Sequence, residues 1–86
     1  MNKLELSVGI AQKMYDCRRA AKRLYGSEYK EKVDTYINAL KKVMDSEGMN
    51  ECEAVGKFIE DPEIKSNEMA VMLLMAAAIE ISEEEK

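Results

Sequence analysis

The stretch from Met69 to Ile81, MAVMLLMAAAIEI, constrains this chain more than any other, because Glu80 is its only polar residue. Wound as a helix at about 100° per residue, it places Met69, Met72, Leu73, Ala76 and Ile79 on one stripe and Val71, Leu74, Met75, Ala78 and Ile81 on the other side. A helix apolar all round lies at the centre of a core, in a bilayer, or between a small core and a partner. The run is far short of the roughly 20 residues that span a bilayer, and Glu68 and Glu80 flank it without a basic anchor. No membrane contact is expected. A chain of 86 residues buries only about 60 to 65% of its unfolded surface. The expectation is therefore that both faces cannot be sealed from within. A homo-oligomer, most simply a dimer, is predicted to close over Met69, Val71, Met72, Leu74, Met75 and Ala78.

The rest of the chain reads as helices that serve this one. Asn2 with Glu5 three residues later suits a capping box, and Leu6, Ile10, Met14, Cys17, Ala21 and Leu24 follow as a core-facing seam. A second stripe of Leu4, Val8, Ala11 and Tyr15 turns basic at Arg18, Arg19 and Lys22. Gly26 ends or kinks the helix. Ser27 is placed to cap a second helix in which Tyr29, Val33, Tyr36, Ile37, Leu40, Val43 and Met44 follow the 3.6-residue period, ending near Gly48. Asn50 and Glu53 repeat the capping box, with Met49 set to staple against Ala54. A short third helix is predicted to bury Cys52, Val55 and Ile59 and to use Gly56 for close approach. Asp61-Pro62 marks the next boundary, since aspartate suits a cap and proline the first helical position. The pattern leaves open whether the last helix runs from Pro62 or restarts after Ser66. No segment alternates like a half-buried strand. The predicted fold is all-α, a single domain over 1–86: a four-helix bundle of two long antiparallel helices, one short helix and the apolar C-terminal helix. Residues 82–86, with three carboxylates against a helix C-terminus, are expected to form a frayed acidic tail unless a basic surface holds them.

Chemistry is poorly represented. There is no histidine, no glycine-rich phosphate loop, no nucleophile elbow and no Cys-x-x-Cys pair, so an enzyme is not expected. Cys17 and Cys52 read as free thiols of a reducing compartment, and two cysteines without histidine are too few for zinc. Neither a cofactor nor a metal is expected. The early charges in Met1-Asn2-Lys3-Leu4-Glu5 do not resemble a secretory signal, which points to the cytoplasm.

Charge is the remaining signal. Residues 1–44 carry ten basic and five acidic side chains, and residues 45–86 carry three and twelve. Tyr15, Arg18, Arg19, Lys22 and Arg23 place an aromatic ring among four cations, a combination able to bind an anion, a nucleotide or a short nucleic acid. A sequence pI near 4.9 weighs against life on nucleic acid. The opposite surface, Glu51, Glu53, Glu60, Asp61 and Glu63, could meet a basic groove on another protein in place of a phosphate backbone. The favoured expectation is a small acidic protein-protein interaction module. Its size and charge are compatible with a regulator or inhibitor from a phage or mobile element, aimed at host nucleic-acid machinery such as a defence complex. A binder of small anionic ligands through the basic-aromatic face is the alternative.

Overall fold

The computed structural model describes the backbone of residues 3–84 and side chains from Gln12 to Glu84. The chain forms α1 (Lys3–Tyr25), a 3-10 turn (Gly26–Glu28), α2 (Tyr29–Glu47), α3 (Glu51–Ile59), α4 (Pro62–Lys65) and α5 (Glu68–Glu84). Among the described residues there is no strand, and no helix is long and apolar enough to cross a membrane. The all-α reading holds, but three helices are long rather than two. The last helix restarts: Asn67 Oδ1 accepts from the Ala70 amide at 3.2 Å and so caps α5 separately from the single turn of α4.

Local chemistry explains most boundaries. Gly26 and Gly48 have φ of 56° and 64°, a left-handed conformation that glycine adopts without a Cβ clash. Asn50 Oδ1 accepts from the Glu53 amide at 2.8 Å while Glu53 Oε1 accepts from the Asn50 amide at 3.2 Å, a complete capping box. Asp61 Oδ1 accepts from the Glu63 amide at 3.0 Å, with Pro62 opening α4. Ser27 does not cap α2: it lies inside the 3-10 turn, and the residue before Tyr29 is Glu28, which makes no side-chain cap bond. The Asn2–Glu5 box and the upstream seam residues Leu4, Leu6, Val8, Ile10 and Ala11 lie outside the described side chains.

α5 is the axis of the molecule and packs against all four other helices. Its Leu73, Leu74, Ala76, Ala77, Ala78, Ile79 and Ile81 are buried together with Met14 and Ala21 of α1, Val33 and Leu40 of α2, and Ala54 and Val55 of α3. Three consecutive alanines at 0% exposure keep the centre of α5 thin, so neighbouring helices approach closely and disperse its apolar surface among themselves. This narrows the expectation that the apolar helix cannot be enclosed from within: the chain covers most of α5 itself, while Met69 stays exposed. Leu74 and Ala78, at 1% and 0% exposed, belong to the chain's own interior and leave the expected oligomer interface.

α1 packs more extensively against α5 than any other helix does. Lys13 shares a groove with Glu68 and Met72, the Cys17 thiol donates to Met75 Sδ at 3.5 Å, and Arg18 reaches Glu80 and Glu83. Leu24, expected on the core seam, is 57% exposed, because ten residues at 100° each carry it about 80° round the helix from Met14. Cys52 is exposed rather than buried, since Ala54 and Val55 take the inner face of α3. Gly56 has nothing within 4 Å of where a Cβ would lie, so no helix approaches there. At the other end, α5 stays helical to Glu84. Arg18 Nη1 meets Glu83 at 2.8 Å and Lys41 Nζ meets Glu84 at 2.8 Å, which sets basic groups against these carboxylates.

Candidate interaction surfaces

The basic cluster is divided by the fold. The Arg18 guanidinium lies 5.2 Å from the centre of the Tyr15 ring and pairs with Glu80 and Glu83 at 2.9 and 2.8 Å. Hydrogen bonding to Glu83, then to Glu80, raises its pKa further above the ordinary arginine value against the opposing effect of burial. With its side chain only 18% exposed, Arg18 fastens α1 to α5 and has little left to offer a ligand. Arg19 faces Asp16 at 3.8 Å, with both side chains exposed. Lys22 stands 5.6 Å from the centre of the Tyr29 ring, and Arg23 is exposed. Four of the five residues predicted as one site are therefore divided among three separate contacts, and Arg23 stands apart from them.

Beside them a shallow depression of about 430 Å³ is lined by Lys22, Tyr29, Lys30, Val33, Glu80 and Glu84, among others. Carboxylates stand against the lysines there, so the depression offers an anion no uniformly positive cradle. Tyr29 lies beneath it with a buried hydroxyl that has no hydrogen-bond partner among the described residues. Burial, reinforced by Glu80 and Glu83 and opposed by Arg18, pushes its pKa up to about 12. Periodicity alone places Tyr29 in the core. Glu80, the single polar residue of an apolar run, was the available sequence signal that something charged waits opposite.

The acidic residues are arranged differently. Glu53, Glu60, Asp61 and Glu63 are exposed and Glu51 is half-buried. Glu60, Asp61 and Glu63 gather at the α3–α4 junction, whereas Glu51 and Glu53 sit at the far end of α3, about 10 to 13 Å away by helical rise. Between α3 and α4 a shallow groove of about 260 Å³ is lined by Lys57, Phe58, Asp61 and Ile64. Lys57 pairs with Glu47, whereas Glu51, Glu60 and Glu63 make no ion pair among the described residues. Residues 51–68 hold six acidic and two basic side chains, a balance of −4. The rest of the chain holds eleven of each. The whole net charge of the protein is thus carried by α3, α4 and their flanks.

Four of these carboxylates have a local explanation, Asp61 as the N-cap of α4. Glu51, Glu53 and Glu63 lie in first turns, where the positive end of the helix dipole favours a negative charge. Glu60 does not. It is the C-cap of α3, where a carboxylate faces the negative end of the dipole and costs about 0.3 to 1 kcal/mol.

No group of His, Cys, Asp and Glu among the described residues is arranged to hold a metal ion. Both cysteines are free. Burial is the main cause raising the pKa of each thiol, which disfavours the reactive thiolate. No protein-family model matches the chain, and no curated protein or solved structure matches it.

Proposed function

We propose that this protein is a non-enzymatic interaction module that presents the α3–α4 edge to a basic surface on another protein. The observation that carries the reading is the placement of charge: the full excess of −4 lies on residues 51–68 while the remainder is balanced. The basic cluster, by contrast, is drawn into holding the fold, with Arg18 committed to α5. Glu60 adds a second support, because a carboxylate kept where the helix dipole disfavours it is understandable if something outside the chain uses it. A basic groove that otherwise receives nucleic acid has the matching chemistry, since it is built to accept closely spaced negative charge.

Charge reversal tests this directly. Proteins retained by the immobilised chain and eluted by salt are compared for the wild type, for Glu60→Lys with Glu63→Lys, and for Arg19→Glu with Arg23→Glu. Retention should be lost in the first variant and kept in the second. The reverse pattern would transfer the site to α1. Glu60→Lys alone is expected to weaken retention while raising the melting temperature slightly, because it removes an unfavourable charge from the end of α3. A purely structural Glu60 would not uncouple the two.

The second proposed partner is another copy of the chain. Met69 is 43% exposed, and Val71, Met72 and Met75 are half-buried, which leaves part of α5 open after the chain has covered the rest.

A further inference from the structure

On that reading of self-association, we infer that two copies meet through a strip in which α1 and α5 lie side by side, with α1 contributing as much as α5. The open residues of α5 do not all share one side. Met69 lines a groove with Tyr25, Tyr36 and Leu73, whereas Val71, Met72 and Met75 line another with Lys13, Cys17, Lys65 and Glu68. This second groove, about 360 Å³ in volume, continues along α1. Cys17, Ala20 and Leu24 recur at spacings of three and four and so share one edge of the helix. Ala20 is exposed, and among the described residues Leu24 has the largest fractional exposure of the large apolar side chains. From Lys13 to Leu24 the strip is about 16 Å long.

Its charges identify the occupant as a second copy. Lys13, Lys65 and Glu68 border the groove and make no ion pair among the described residues. A two-fold interface requires that each surface complement itself, residue i meeting j while j meets i. Two cations and one carboxylate around an apolar floor meet that condition, since Glu68 of each copy can face Lys65 or Lys13 of the other. The excess negative charge lies mainly at the α3–α4 edge, so contact through this strip does not press the most acidic surfaces together. Methionine side chains suit a surface that must adapt to its own image.

Cys17 is a native reporter at the edge of the strip. In a Cys52→Ser background its labelling by a maleimide is followed from micromolar to near-millimolar protein, alongside mass by light scattering. Mass should double over this range. A population nine-tenths dimeric leaves about a tenth of the thiol open, so labelling should slow about tenfold. Leu24→Asp should stay monomeric and label at the monomer rate, with its helical signal and melting temperature kept because Leu24 is already largely in water. A chain that remains monomeric throughout would overturn self-association and the strip together. A dimer that labels at the monomer rate and tolerates Leu24→Asp would overturn the strip alone.

Discussion

Tyr29 shows at the scale of one residue how the core makes room for a charge it does not contain. Its ring closes the floor beneath Lys22, yet its hydroxyl is buried without a partner among the described residues, and such a group costs about 1 to 3 kcal/mol relative to a satisfied one. Tyr29→Phe should therefore raise stability by about 1 kcal/mol in urea unfolding at neutral pH, where removal of an ordinary buried hydrogen bond would lower it. The same residue sets an alkaline limit. In the folded chain Tyr29 keeps its proton until about pH 12, against 10.0 for an ordinary tyrosine. Between those values the folded state binds more protons than the unfolded state, so stability present below pH 10 is lost as the pH rises. The loss is on the order of 2 to 3 kcal/mol by the top of that window. Unfolding midpoints at pH 9 and pH 11 should diverge in the wild type and do so less in Tyr29→Phe. Equal slopes would place the alkaline loss elsewhere.

The elements differ in how openly the sequence declares them, and the difference follows the range of the forces involved. The Asn50–Glu53 box, the Asp61-Pro62 start and the Gly48 stop are settled within four residues, so residue type and spacing suffice to read them. Arg18 with Glu80 and Glu83 is a contact across more than sixty residues, invisible until α1 and α5 are laid side by side. Gly56 and Leu24 depart from what periodicity predicts for a related reason. Periodicity says which residues share a face, but only the packed structure says whether another helix meets that face. The glycines turn this into a measurement. Gly48→Ala forces a Cβ into a left-handed backbone of φ 64° and should cost about 1 kcal/mol. Gly56→Ala, in a helix with open space at the Cβ position, should stabilise by about 0.5 to 1 kcal/mol through helix propensity alone. Opposite signs are expected in thermal melts of the two variants. A loss at Gly56 would mean that another part of the chain packs closer there than the open Cβ position shows.

For the whole molecule the deciding feature is that one helix touches all the others. A chain of this size folded round a single axis has no second core to fall back on, so α1, α2, α3 and α5 should unfold together. The interior of that axis and its open side then make different contributions. Leu74, at 1% exposed, has no room to be replaced by solvent, and Leu74→Ala should cost about 2 to 5 kcal/mol through lost burial and the cavity left behind. Met75 is only half-buried at the edge of the groove, and Met75→Ala should cost about half as much or less, because part of its side chain already faces water. In urea both variants should move the midpoint without changing the slope, with helical signal and tyrosine fluorescence coinciding. A transition that splits, with tyrosine fluorescence outlasting part of the helical signal in Leu74→Ala, would show that the tyrosine-bearing helices α1 and α2 hold together without α5. The molecule would then be two cooperating halves rather than one structure assembled round an apolar axis.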